Sequence, residues 1–455
     1  MSNTTNAPPP ESTDTGQPSP GPATRAAASR LQPSTTTPTQ QGSPRTGDAV
    51  IGARLRTARE TAGLSLADLA RRVPYSKSAL GFFETGTRTP TPAVIACYER
   101  LFGDTAADTV TSLTALGKAD VNRRSFLRKA AYSAALSATA LALPVEATAR
   151  IATVTEARVV GAADVDAVRT ITDAFLKFDE ARGGGMGRTA VAEFLSTDIA
   201  ALLRSRFAAE DVRAHAFSAA AELAYLAGFK AHDAGADGVG QRYFLTALRL
   251  AEHAQIPGQD SWILRILALQ GTDIAQPRFS PDLAEAALSR AAGKLGPDAN
   301  ALLTVAVART HAETGNKPAA LAALRAAESA INPDMTSEQP RWVSMWCPNK
   351  ATVVDQTAKT FLALGDLTNA ERYYTLGTSI WNPATHARVW ALTAAETGLL
   401  RWKLGNHTDA TNLWRPVLPI LHTVDSARTR KALGKVRATA PELFADTAPG
   451  HIPAL

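Results

Sequence analysis

Residues 51–103 read IGARLRTARETAGLSLADLARRVPYSKSALGFFETGTRTPTPAVIACYERLFG, and the order of helix starts and stops in this stretch decides the rest. Ile51, Leu55 and Ala58 recur at helical spacing, and Gly63 can leave a helix with positive φ. Ser65 precedes Leu66, Leu69, Ala70 and Val73, with Asp68 three residues on, so serine and carboxylate can cap each other's backbone donors. Pro74 cannot continue that second helix, and Ser76 restarts a third in which Leu80 and Phe83 point inward. Thr91 and Pro92 open a fourth, carrying Ile95 and Leu101 and ending at Gly103. The turn between the second and third helices is short, about three or four residues, as a helix-turn-helix requires.

The segment resembles the lambda-repressor/Cro type of bacterial regulator, also called the xenobiotic-response-element (XRE) family. That resemblance implies a DNA-binding domain whose third helix enters the major groove of double-stranded DNA. Matched onto SKSALGFFETG, it places Lys77 and Ser78 at base edges and Phe82 against a thymine methyl. Ser76, Thr85 and Arg88 then sit at phosphates. Three positions depart from the family pattern: Pro74 where a turn glycine is common, Leu66 where a polar residue touches phosphate, and Phe82 where a polar residue is frequent. The bland alternative is a small helical domain with a solvated basic face, because eight Lys and Arg face five Asp and Glu over residues 48–103.

Around this domain, residues 1–47 form a Pro/Ser/Thr-rich arm with too little apolar surface to fold, and Arg25, Arg30 and Arg45 are its basic residues. With 455 residues and a formal charge of +6, the chain has room for two or three domains and suits a polyanion partner. Cys97 and Cys347 lie too far apart for a metal or disulfide framework, so a reducing compartment is expected, with Cys97 a buried thiol. Residues 104–163 read as a helical linker. Its DVNRRSFLRKAAYSAALSATALAL, residues 120–143, resembles a twin-arginine export signal, followed by a cleavage-like Ala147-Thr148-Ala149. The motif stands far from the N-terminus, and its apolar run is shorter than the ~20 residues a membrane helix needs. We therefore read an internal helix in a cytoplasmic, nucleoid-associated protein, with membrane-tethered or exported forms as the alternative.

Residues 164–438 are Ala- and Leu-rich with helical periodicity, and residues 439–455 form a tail. Gly235, Gly315, Gly365 and Gly405 share a pattern. Five residues on stand Gly240, Ala320, Ala370 and Ala410; nine on, Phe244, Leu324, Tyr374 and Trp414; seven before, Gly228, Ala308, Ala358 and Gly398. Small residues let paired helices approach, and the large one fills the space between neighbouring pairs. These offsets resemble the tetratricopeptide repeat, although the intervals of 80, 50 and 40 residues exceed its length, and Val417 and Gly377 replace its usual alanines. One degenerate pair is expected between Gly235 and Gly315, from Trp262–Ala275 and Pro281–Ala292.

The expected fold is all-α: a helix-turn-helix domain, then an α-solenoid of tetratricopeptide-like helix pairs. The glycine run 183–185 follows a helix, not a strand, and reads as a hinge or tight turn rather than a phosphate loop. No enzyme motif or metal-ligand spacing is present, so no catalytic residue, metal or cofactor is expected. All seven tryptophans lie in the repeats, and Trp342 and Trp346, in QPRWVSMWCPNK, are the candidates for a ligand-facing patch. The domain order resembles regulators whose repeats bind a peptide. It implies a homodimeric transcriptional regulator with a peptide or protein effector. The alternative is an interaction scaffold without specific DNA binding.

Overall fold

The computed structural model describes residues 46–102, 106–125, 143–154, 158–330, 339–345 and 349–444. Residues 1–45 of the arm, with its three arginines, residues 126–142 of the export-like motif, Trp346, Cys347 and residues 445–455 lie outside them, and Thr46 and Gly47, read as part of the arm, open the first helix. The chain divides into two compact units, Met1–Phe102 and Gly103–Leu455. Among the described residues both are all-α, apart from a two-residue parallel bridge in the second that pairs Val159 with Arg206 and Val160 with Phe207.

The first unit packs α1 (Thr46–Thr61), α2 (Leu66–Ala70), α3 (Lys77–Glu84) and α4 (Pro92–Phe102) around Leu55, Leu69, Leu80, Phe83, Val94 and Tyr98. Ser65 and Asp68 form the reciprocal cap expected of them, each side chain accepting the other's backbone N–H at 3.1 Å. Two apolar stripes are shifted by a residue. On α1 the inner face is Gly52, Leu55 and Arg59, while Ile51 is 37 % exposed. The cause is Gly52, which lies so close to the carbonyl oxygens of Phe83 and Glu84 that any Cβ there would collide with backbone. On α4 the core takes Val94 and Tyr98, leaving Leu101 exposed, and Cys97 is only half-buried.

In the second unit α5 (Ala106–Ser125) belongs to the core rather than to a linker: Val110 and Leu113 are buried in the main apolar cluster, and Asp120 pairs with buried Arg188. The short α6 (Val145–Ala152) contains Ala147-Thr148-Ala149, so the cleavage-like triplet is helical with Ala147 buried. Next come α7 (Ala162–Arg182), α8 (Arg188–Phe194), a π-helical turn over Leu195–Ile199, and α9 (Ala200–Arg204).

Helix pairs then repeat: α10 (Glu210–Asp233) with α11 (Asp237–Ala254), α12 (Gln259–Asp273) with α13 (Ser280–Ala291), and α14 (Pro297–Glu313) with α15 (Lys317–Ala330). A four-residue α16 (Arg341–Ser344) precedes the pair α17 (Asn349–Ala363) and α18 (Leu367–Ile380), and then α19 (Ala387–Lys403) with α20 (His407–Thr423). Last is α21 (Ala427–Thr439).

The four marker glycines end α10, α14, α17 and α19 with φ of 83°, 81°, 76° and 88°. At each, the next residue's N–H returns to a carbonyl five residues earlier at 2.8–2.9 Å, the hydrogen bond of a Schellman turn. The residues at the three flanking offsets are buried in every pair. In two pairs an aromatic ring fills the room left by a glycine: Phe244 against Gly228 and Trp414 against Gly398.

The expected degenerate pair is present as α12 and α13, and its turn is the same. Gln276 N–H returns to Gly271 O at 2.8 Å, and the residue at the left-handed position is Ala275, with φ 57°. Small residues stand seven before it and five after it, Ala268 and Ser280, but Ala284 stands where the large one would be. The turns therefore recur at 235, 275, 315, 365 and 405. A left-handed alanine costs about 1–2 kcal/mol, partly offset in glycine by the entropy of the unfolded chain. Ala275→Gly should stabilise the repeat unit by about 0.5–1 kcal/mol. Denaturant unfolding of the full chain checks this, and a lower midpoint would contradict the assignment of that turn.

The array is closed on itself by buried charge. Arg388 of α19, without exposed surface, pairs with Asp179 (2.7 Å) and Glu180 (3.0 Å) of α7 and with Asp233 (3.2 Å) of α10. Lys230 adds a second cation 2.9 Å from Asp179, and Ser426 donates to Asp233 at 2.9 Å. The glycine run fits into this junction as a tight turn. Gly184 N–H donates to Asp233 at 2.9 Å, Gly185 N–H donates to Asp425 O at 2.9 Å, and a side chain at either would collide with the packed neighbours.

Candidate nucleic-acid interface

The residues of the third helix separate cleanly into two faces. Leu80, Phe83 and Glu84 point inward, and Lys77, Ser78, Phe82 and Thr85 are exposed. Ser76 stands at the N-cap and accepts from Ala79 N–H at 3.2 Å, so the first turn begins at Lys77. Phe82, 50 % exposed, is the largest apolar side chain on that outer face. It has no part in the core, which leaves its ring available for a methyl-bearing surface.

Arg88 follows the helix on a short loop. Its backbone N–H donates to Phe82 O at 3.0 Å, and its guanidinium lies 5.5 Å from the Phe83 ring centroid, which fixes it close to the end of α3. Thr85 Oγ1 donates to Gly81 O at 2.8 Å and meets the Thr87 hydroxyl at 2.8 Å. The six positions named from the sequence are thus collected along one helix, its cap and the loop that leaves it. Leu66, the departure from the polar family pattern, is half-buried with Cδ1 toward Gly81, so it serves the α2–α3 packing.

Beneath this face lies a feature the sequence reading missed. Arg59 of α1 donates two bonds to Glu84, at 2.8 and 2.7 Å, and a third to Leu64 O at 2.7 Å. Tyr98 of α4 donates to the same carboxylate at 2.7 Å. Three helices are held at the C-terminal end of α3, all by buried groups. The bonds it donates to Glu84 hold the Arg59 guanidinium above its ordinary value, and burial, with the Glu84 contact, raises the Tyr98 phenol. The available signal was the register itself: an arginine at the third position of the Gly52–Leu55 stripe needs a buried partner.

Short second helix, abrupt turn and exposed third helix are now in place, and the comparison with known families agrees with them. Residues 50–105 match the model of a helix-turn-helix domain. No match was found among curated proteins. The match spans α1 to α4; among the described residues C-terminal to it, α5 to α9 lead into the helix pairs that begin at α10.

Of the two tryptophans assigned to a ligand-facing patch, Trp342 is not on an open surface. It is 4 % exposed, and its ring lies 5.9 Å from that of Trp262, because α16 turns into the array instead of extending along its outside. Among the described residues no helix is long and apolar enough to cross a membrane.

Proposed function

We propose that this chain is a sequence-specific transcriptional regulator of the XRE type, and that its repeats are tetratricopeptide-like and serve dimerisation, effector binding or both. The observation that carries the reading is the outer face of α3. A helix whose inner side holds a small domain together presents Lys77, Ser78 and Phe82 outward, with Arg88 just beyond its end. That arrangement suits base contact by the first turn and phosphate contact at the flanks. In this reading Ser76, Thr85 and Arg88 fix register on the backbone, Lys77 and Ser78 read base edges, and Phe82 packs on a thymine methyl. The protein works in the cytoplasm as a binder, not a catalyst. A homodimer places two such helices about 34 Å apart on the duplex.

The test is genome-wide mapping of bound fragments for the native protein beside Lys77→Ala/Arg88→Ala. Discrete sites lost in the variant are the expected result. On an isolated site, each lost phosphate contact should lower the salt slope by about 0.9. Fragments bound equally by both proteins would remove α3 from the interface.

A further inference from the structure

The forty-residue spacing of the repeat turns is broken once, between Gly315 and Gly365, by ten additional residues. The excess lies in the connection from α15 to α17. It spans residues 331–348, whereas the corresponding connections are 255–258, 292–296 and 381–386. Joining two packed helices needs only a few residues. The described part of the long connection instead runs back over units much earlier in the chain.

Arg341 donates to Asp173 of α7 at 2.5 Å and to Glu222 of α10 at 3.2 Å. Trp342 covers Trp262 of α12. Yet the fit is incomplete. Glu222 Oε1 and the indole nitrogens of both tryptophans find no hydrogen-bond partner in the protein. Arg265, 5 % exposed, stacks 3.8 Å from the Trp262 ring and bonds the Tyr225 hydroxyl at 3.3 Å, but its Nε is unpartnered. No carboxylate among the described residues pairs with it. Each unsatisfied buried group costs about 1–3 kcal/mol, so the seat is chemically suited to more than its present occupant supplies.

We infer that residues 339–345 are an internal ligand, and that their seat is a binding site for a partner peptide carrying adjacent arginine and aromatic residues. The acidic pair Asp173 and Glu222 takes the guanidinium, and Trp262 takes the ring. Arg265 takes a carbonyl or carboxylate of the peptide, which the strap does not provide. The partner and the strap compete for one place. This inference rests on the reading of the repeats as an effector receptor.

The probe is a fluorescein-labelled peptide, QPRWVSM, followed by anisotropy on the full-length protein with no DNA present. Binding to Arg341→Ala/Trp342→Ala should be saturable and at least tenfold tighter than to the wild type. It should weaken at least tenfold when Asp173→Asn and Glu222→Gln are added, or when the peptide's arginine is replaced by alanine. A strap variant that melts cooperatively and binds no peptide overturns the inference. If that variant does not fold, the same peptide with a photoreactive group at the tryptophan position is irradiated with wild-type protein. Cross-links on α12 support the site, and their absence with peptide in large excess overturns it. Because DNA takes no part, the mapping experiment can fail while this one succeeds, and the reverse.

Discussion

Arg388→Ala should lower the stability of the repeat unit by about 3–5 kcal/mol, the usual cost of removing one partner from a buried ion pair. The reason is arithmetic of charge. Asp179, Glu180 and Asp233 would lose their shared cation in a largely buried site, with Lys230 remaining only beside Asp179. Total stabilities of about 5–15 kcal/mol make this a large fraction. The loss depends on pH. Burial alone would raise the Asp179 carboxyl, but Arg388 and Lys230 outweigh it and hold it below its ordinary value. A depressed carboxyl contributes stability that is present above its unfolded value, about 3.9, and is lost as pH falls through the folded one. The wild type's advantage over the variant should therefore be full at neutral pH and shrink toward pH 4 and below. Chemical unfolding of both proteins across that range is the measurement, and a gap that widens in acid would contradict the charge balance described.

Glu84→Ala should be the most damaging single change in the helix-turn-helix domain. It leaves the Arg59 guanidinium buried without its carboxylate and the Tyr98 hydroxyl without an acceptor, at a cost of about 3–5 kcal/mol. The core of that domain is small, so the loss approaches what it has to lose. Hydrogen exchange on the full chain should show protection lost from α1 to α4 and retained in the repeats. Lys77→Ala, on the exposed face, should stay within about 0.5 kcal/mol of the wild type. On the function proposed above both variants should bind DNA less well, Glu84→Ala by unfolding the domain and Lys77→Ala by removing the proposed base contact. Exchange protection that survives Glu84→Ala would show that the buried ion pair does not hold the domain.

What could be read in the sequence followed from local rules. The Ser65–Asp68 cap, the Ser76 restart and the Thr91-Pro92 start are each decided within four residues, and each stands where expected. The marker glycines were legible because a left-handed turn selects them. Ala275 was not, because its turn is dictated by backbone hydrogen bonds and tolerates a strained residue type. The α1 stripe was misread by one residue because a glycine carries no hydrophobic signal, although close backbone approach makes Gly52 the innermost position. Arg59 with Glu84, and Arg388 with Asp179, depend on helices brought together from distant parts of the chain, which no periodicity reveals. Trp342 reads from the sequence as a ligand-facing candidate, but its ring is buried against Trp262 because its direction is set by a connection whose path is tertiary.

The junction at Arg388 also bears on how the protein is made. A solenoid whose units touch only their neighbours can grow outward from any nucleus. Here Glu180 must wait for a partner 208 residues later in the chain. At about 5–20 residues per second of synthesis, that delay is on the order of 10–40 s. Through that interval Asp179 can already meet Lys230, but Glu180 carries a charge whose cation has not yet left the ribosome. The long-range contacts become available in chain order: Arg341 reaches Asp173 and Glu222 first, Arg388 then meets Glu180, and Asp425 and Ser426 complete the junction last.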